Sequence, residues 1–352
     1  MEVRGVYYKE TSNRVVQPRV DLQATDPGSQ ITVTGYYLLD AITSASIAQG
    51  NVTDAVRTEY RNEAGLSVGR PVHGGQLSAG LRHSRESDYQ SVGGNLGYSH
   101  DFAEKNFTLS GSFAHNFDWV GNRFAGTAGT LSSSTTSLYA TQLLSPTAVL
   151  QLGYELQYQQ GLQSNQYRFV DVSGGPMPER HPVQRDRHTF AGRIAQLYPS
   201  TGTGLQLLYR YYVDGWDVRS HTIEPRIYQD LGDSVQLRLG FRYYTQTRAY
   251  FFRDLMAGER NPLCDFAADP DRRCAYTGDD KLRPQSSTAI DLSARFSLQG
   301  WQRVPGLGWF SAGAIDVSYT SFRQDNTWGR CGPGTKEICE DRVIQVGYAM
   351  PL

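Results

Sequence analysis

Apolar and polar residues alternate along most of this chain with a period of two. Within residues 235–244, one face is apolar, and the other carries Gln236, Arg238 and Arg242. A helix would distribute those polar side chains around its circumference, whereas a strand places them on one side. The same alternation recurs at 107–113, 148–158 and 290–298. The pattern predicts an all-β chain.

Dividing the chain at turn signals gives about sixteen predicted strands, at 2–10, 14–24, 30–40, 56–69, 75–86, 89–102, 106–119, 131–144, 147–160, 187–198, 204–216, 220–231, 234–248, 286–299, 308–322 and 341–352. Short turns alternate with longer links, at 41–55, 120–130, 161–186, 249–285 and 323–340. This alternation is typical of a transmembrane antiparallel up-and-down β-barrel with periplasmic turns and extracellular loops. We therefore predict a single barrel domain over residues 1–352, with both termini on the short-turn side. The strand at 131–144 is the least regular.

One predicted face lacks mid-strand arginine and lysine, and only Asn62, His83, His100 and His115 interrupt its apolar character. A cation at the bilayer midplane costs about 2–4 kcal/mol, so a lipid-facing surface excludes it. The alternative is a soluble all-β fold in which this uncharged, apolar face is buried in the core. Many predicted strands run 11–14 residues, longer than the roughly 5–6 of soluble strands. Strand length favours the membrane barrel.

Composition agrees with a sheet that has one polar face. Apolar residues make up 39% and aromatic residues 12%, an aromatic content too high for a disordered chain. The net charge of −1 argues against a nucleic-acid partner. No apolar run is long enough for a spanning helix. Because Met1 is followed at once by a strand-like segment, we expect the numbering to begin after a removed export signal.

The last predicted strand resembles the terminal signal that the outer-membrane assembly machinery reads. Its alternate positions are Ile344, Val346, Tyr348, Met350 and Leu352. Such signals usually end in an aromatic residue, and Leu352 departs from that pattern. An ordinary final strand is the alternative interpretation.

Several stretches resemble an uncharacterised, porin-like family of proteobacterial outer-membrane β-barrels, catalogued as a domain of unknown function. The matching segments are Tyr37-Leu38-Leu39-Asp40-Ala41-Ile42-Thr43-Ser44-Ala45-Ser46, Ser84-Arg85-Glu86-Ser87-Asp88-Tyr89, Ala140-Thr141-Gln142-Leu143-Leu144-Ser145-Pro146 and Tyr209-Arg210-Tyr211-Tyr212-Val213-Asp214. The resemblance covers most of the chain. It implies a Gram-negative outer-membrane location and a barrel fold, and it transfers no activity and no catalytic residue.

The four cysteines form two close pairs in predicted extracellular loops, Cys264 with Cys274 and Cys331 with Cys339. Closure within each loop is the simplest disulfide arrangement, and pairing between the loops remains an alternative. A zinc site is a weaker alternative, because neither loop contains histidine. The acidic residues of the 264–280 loop could hold calcium. Solvated charge is the favoured interpretation there, so we predict no cofactor and no metal.

Charged residues concentrate on the predicted inward face. The candidate lumen-lining residues are Glu155, Arg210, Glu224, Arg226, Arg238, Arg242, Arg248, Asp291 and Arg295. Strands over 89–119 offer mainly serine, threonine and asparagine instead. One interpretation is a basic wall that favours anions. The other, which the near balance of inward charge favours, is that these arginines pair with acids across strands.

The sequence predicts a porin-like pore for small polar solutes, anions among them, constricted by the 161–186 or 249–285 loop. The alternative is a non-enzymatic portal or anchor for a larger export or surface complex, with a periplasmic or surface protein as partner. Membrane lipid and lipopolysaccharide would surround the barrel. We predict no enzymatic activity, since only His188 beside Asp186 resembles part of a catalytic pair.

Overall fold

A computed structural model describes residues 2–9, 13–44, 57–121, 128–166, 169–172, 175–253, 275–299, 313–325 and 338–349. Within these ranges, sixteen antiparallel strands form one closed barrel. Each strand pairs with its neighbours along the chain, and the last strand pairs with the first from Glu2↔Ala349 to Lys9↔Arg342. Closure leaves no unpaired sheet edge.

The barrel strands are Glu2–Lys9 (β1), Asn13–Thr25 (β2), Thr32–Ser44 (β3), Arg57–Val72 (β4), Gly75–Arg85 (β5), Tyr89–Phe102 (β6), Phe107–Gly121 (β7), Ala128–Ser145 (β8), Ala148–Gly161 (β9), Gln184–Tyr198 (β12), Thr203–Asp214 (β13), Arg219–Leu231 (β14), Val235–Gln246 (β15), Gln285–Ser297 (β16), Ala314–Asp325 (β17) and Ile338–Ala349 (β18). A separate hairpin, Phe169–Val172 (β10) and Gly175–Pro178 (β11), lies between β9 and β12. Among the described residues, no helix is long and apolar enough to cross a bilayer.

The outer face of the barrel is apolar over most of its described height. Leu66 and Leu81, directly paired across β4 and β5, are 57% and 72% exposed. Leucines at this exposure are stable in lipid but would be unfavourable in water. The outward cations Arg70, Arg85 and Arg323 lie within two residues of a strand end, and the outward Arg342 lies four residues after the start of β18. The outer surface of the barrel therefore faces the hydrocarbon of the membrane.

The turns of one rim form through local polar contacts. Between β2 and β3, the Asp26 carboxylate accepts hydrogen bonds from the Ser29 amide at 2.8 Å and the Ser29 hydroxyl at 2.5 Å. The hydroxyl bond is the main cause that lowers the pKa of Asp26. Such self-bonding of Asp is a common way to stabilise a reversal of the chain.

The structure confirms the predicted fold class, and three of its differences from the sequence prediction stand out. The irregular strand at 131–144 is β8, which is 18 residues long and pairs along its length with β7 and β9. The β10–β11 hairpin was not predicted. Strand β17 begins at Ala314 rather than at 308, and the residues 300–312 before it lie outside the described ranges.

Candidate functional site

The inward face of β13 to β16 carries most of the residues that the sequence proposes for the lumen. Strand β13 places Arg210 there, β14 places Glu224 and Arg226, β15 places Arg238 and Arg242, and β16 places Asp291 and Arg295. A cavity of about 470 Å³ against this wall is lined by Glu224, Arg226, Arg238, Arg242 and Asp291, together with Thr320 of β17. Alternation in the neighbouring strands β13 to β17 thus assembles one polar wall.

Several of these arginines pair with acids on the same wall. Arg238 donates through Nε to Asp291 at 2.9 Å, and its terminal nitrogen lies 2.7 Å from the same carboxylate. The other Asp291 oxygen accepts a bond from the Thr320 hydroxyl at 3.0 Å. Arg226 donates to Glu224 at 2.8 Å. Charge compensation across and along strands therefore neutralises much of this wall.

Two inward arginines have no acidic partner in the described part of the chain. Arg242 lies over the Tyr244 ring, with 5.5 Å between the guanidinium carbon and the ring centroid. Arg210 is exposed to the lumen and forms no ion pair with any described residue. Arg295 is 3.9 Å from Asp316, a weak contact between two exposed groups. Arg248 follows β15 and is exposed. The wall keeps a local excess of positive charge.

The opposite side of the lumen is lined by smaller polar groups and is compensated more closely. On β5, Arg82 contacts Glu63 at 3.2 Å and donates to Asn116 at 2.9 Å and to Ser91 at 3.3 Å. Farther round, Glu155 of β9 accepts a bond from the Ser137 hydroxyl at 3.3 Å. The lumen is thus lined mainly by polar groups, with apolar exceptions such as Leu38 and Phe322, and its charge is unevenly distributed.

Segments that link the strands at the long-loop rim fold together into a cap. We use this name for the residues 162–166, 179–183, 215–218, 247–253 and 275–284. Their apolar side chains form a buried cluster of Trp216, Val218, Ala249, Phe251, Phe252, Ala275 and Leu282. The Trp216 and Phe251 rings meet edge to face, with centroids 5.0 Å apart. The barrel thus carries a small second core besides its lipid-facing surface.

Buried polar groups join the cap segments to one another. The Thr277 hydroxyl donates to Glu179 at 2.7 Å, and His181 Nε2 lies 3.2 Å from the same hydroxyl. His181 Nδ1 is 3.1 Å from the Gln163 carbonyl oxygen. Residues nearly a hundred positions apart are therefore held in one network.

The cap is anchored to the barrel rim and extends across its mouth. Arg283, almost fully buried, donates to the Asp325 carboxylate at 2.8 Å, and the amide of Gln246 donates to the Arg283 carbonyl oxygen at 2.6 Å. A cavity of about 480 Å³ is lined both by the cap residue Leu282 and by Glu59 of β4. Leu282 lies just before β16, and five strands separate β16 from β4 by the shorter way round the barrel. The cap therefore extends over part of the entrance and narrows it.

Three carboxylates at this rim are close enough to hold a cation. The oxygens of Glu59, Glu86 and Asp88 lie within 4.8 Å of one another. Burial, followed by the charge of Glu59, raises the pKa of Glu86 above its ordinary value. Carboxylate crowding of this kind favours a proton or a hard cation.

His188 and Asp186 face outward on β12. His188 Nε2 is 3.4 Å from the Asp186 carboxylate, and Nδ1 is 2.9 Å from the Tyr154 hydroxyl. Tyr154 is on the same apolar face, with its ring 5.0 Å from that of Phe190. The pair therefore belongs to the outer aromatic surface rather than to a cleft where substrate could bind.

Some predicted residues lie outside what the structure describes. They include Cys264, Cys274 and Cys331, the side chain of Cys339, most of the 264–280 loop, and Met350 and Leu352. The disulfides and the calcium alternative stay predictions. Of the predicted assembly signal, Ile344 and Val346 are on the outer face of β18, 51% and 54% exposed.

Solved structures of outer-membrane barrels resemble this chain in fold. A bacterial polysaccharide outer-membrane secretin matches with a TM-score of 0.54 and 7% identity, covering 100% of this chain and 97% of its own. CdiB from Acinetobacter baumannii has a TM-score of 0.54, 9% identity, and coverage of 99% and 59%. The siderophore receptor PirA from Pseudomonas aeruginosa has a TM-score of 0.48 and 12% identity. The match covers 99% of this chain but only 59% of PirA.

No curated protein matches the sequence. A protein-family model does match, over residues 54–132 and 123–278, which together span more than half of the chain. This match confirms the resemblance that the sequence motifs indicated, and the closed barrel with its apolar exterior confirms the location in the bacterial outer membrane. The chain belongs to the family described as "Protein of unknown function (DUF3570)".

Proposed function

We propose that the protein is a pore for small polar solutes, with a preference for anions. The observation that carries the proposal is the lumen itself, a mainly polar surface enclosed by a sheet whose other face is apolar. Sixteen-stranded barrels are wide enough to enclose an aqueous channel. The preference for anions follows from Arg210 and Arg242, whose charge no described carboxylate neutralises.

The cap would set the size limit of such a pore. Its apolar cluster and its anchors to β15 and β17 hold it across the entrance, so solutes would pass between the cap and the opposite wall. The cavity shared by Leu282 and Glu59 lies along that route. A constriction built from a folded unit is rigid enough to discriminate between solutes by size.

Planar-bilayer recordings of the purified, refolded barrel test this proposal. We expect discrete conductance steps and, in a potassium chloride gradient, a reversal potential displaced toward that of chloride. Heat-denatured protein in the same detergent is the control. Absence of conductance from protein that migrates as a folded barrel would contradict the proposal.

A second candidate function is a portal or anchor for a larger export or surface complex. The cap favours it, since a simple diffusion pore does not require a buried aromatic cluster at its mouth. A partner that occupies or displaces the cap would copurify with the barrel from native membranes. Recovery of the barrel alone, together with conductance, would favour the pore.

A further inference from the structure

A second lumen cavity, of about 330 Å³, lies directly beneath the cap. Its walls are the inward faces of β9 and β12 to β15, including Thr189, Arg210 and Tyr244. The cap contributes Val218 and Lys281. The space is therefore enclosed by barrel and cap together, at the narrowed part of the proposed pore.

The charges around this cavity do not balance. Its basic residues are Arg185, Arg187, Arg210 and Lys281, and its only acidic lining residue among those described is Glu155. Arg185 is neutralised by Asp214, to which it donates at 2.9 Å through Nε. Three cations therefore face a single carboxylate, which leaves an excess of about two positive charges.

Arg187 lines this cavity with a guanidinium group whose position is fixed. One terminal nitrogen donates to the Gln157 side chain at 2.5 Å, which fixes the direction of the guanidinium group. Its Nε is buried and has no hydrogen-bond partner in the described structure. Because that nitrogen is inaccessible to solvent, it is not a donor to a ligand. What Arg187 offers the cavity is its charge, since it forms no ion pair with a described carboxylate.

We propose that this cavity binds a small organic anion through its carboxylate, held by Arg187, Arg210 and Lys281. Guanidinium groups bind carboxylates through paired, charge-assisted hydrogen bonds. The rings of Tyr212 and Tyr244 and the side chain of Val218 offer apolar surface for a short carbon skeleton. The volume lies at the lower end of the range for ligand pockets, which suits a molecule of dicarboxylate size.

This inference rests on the proposed pore, for which the cavity would be the anion-selective site. Isothermal titration calorimetry with succinate, on the intact barrel in detergent at low salt, tests it without requiring conductance. We expect saturable binding to the unmodified protein and binding about tenfold weaker in the Arg210→Gln variant. Arg193→Gln is the matched control: it removes an inward cation from β12 that does not line this cavity. Its affinity should change less than twofold.

Three further arms separate the outcomes. The uncharged succinamide should not bind, and binding equal to that of succinate would overturn the role of charge. If inorganic phosphate binds as tightly as succinate, the carboxylate assignment is wrong. Conductance without succinate binding would refute this site and leave the pore, whereas binding without conductance would support the site and refute the pore.

Discussion

The pairing of Arg238 with Asp291 makes a quantitative prediction about ion selectivity. Replacing Asp291 by asparagine keeps the shape and the hydrogen bond from Thr320 but removes one negative charge from the lumen. Arg238 then presents its full positive charge to passing ions. We expect the Asp291→Asn variant to prefer chloride over potassium more strongly than the unmodified barrel does.

The size of the effect follows from Coulomb's law. For an ion that passes about 8 Å from the carboxylate in water, one unit charge changes its energy by about 0.5 kcal/mol, and screening at 0.1 M salt reduces this to about 0.2 kcal/mol. Chloride gains what potassium loses, so the permeability ratio should change about twofold, and about fourfold at 0.01 M salt. In a tenfold potassium chloride gradient, a twofold change displaces the reversal potential by about 15 mV.

The assay is the reversal potential of single barrels in planar bilayers. Glu340→Gln is the matched control, because it removes the same charge from the outer surface, where Glu340 contacts Arg323 at 3.3 Å. Its reversal potential should move by less than about 5 mV. An unchanged potential in Asp291→Asn, or a displacement toward potassium, would refute the reasoning that places this carboxylate beside the ion path.

Three further predictions concern the cap, a glycine with positive φ and pH. Phe251→Ala removes a buried ring of the cap core and should destabilise the cap by about 3–5 kcal/mol. We expect this variant to give larger, noisier conductance. Unchanged conductance would mean that the cap does not constrict the lumen. Gly161 has a φ of 125°, and an added Cβ would lie 2.1 Å from the Thr130 carbonyl oxygen; Gly161→Ala should therefore lower the yield of refolded barrel on gels. Burial and the nearby Glu59 raise the pKa of Glu86, so its ionisation opposes folding as pH rises above the ordinary value of 4.5. Glu86→Gln should raise the melting temperature at pH 7 but not at pH 4, and an equal effect at both would contradict this cause.

The strands were predictable because each must be apolar toward lipid and polar toward the lumen. Strand β8 shows the limit of that signal. Outward Ser134 is accommodated by the ring nitrogen of His115 at 2.9 Å on the neighbouring strand. Because the Ser134 hydroxyl has this hydrogen-bond partner, Ser134 can lie on the lipid-facing side of the strand. Where alternation along the sequence is absent, the strand conformation is stabilised by pairing with the neighbouring strands.

The lumen charges were predictable as a set but not as pairs. The residue pattern places Arg238 and Asp291 on the same face, but it cannot fix the register that brings them to 2.9 Å. Arg187 was missed as a lumen residue, since its place in the cavity beneath the cap is visible only once Gln157 and Tyr212 are in position around it.

The cap could not be predicted from periodicity. Its aromatic residues lie in links without a repeating pattern, and Glu179 meets Thr277 across 98 positions of sequence. The sequence does contain one indication of the cap. The run Ala249-Tyr250-Phe251-Phe252 and Trp216 are too apolar for a solvated loop. They indicate a buried cluster but not which segments form it.

The interlocking of separate segments in the cap also determines how this protein would be recognised from outside the cell. An antibody or phage that binds the cap would contact an epitope assembled from several stretches of chain, held together by Trp216, Phe251 and the Glu179–Thr277 bond. Synthetic peptides that copy one stretch would lack that surface. Immunogens against this barrel should therefore be folded protein rather than linear fragments.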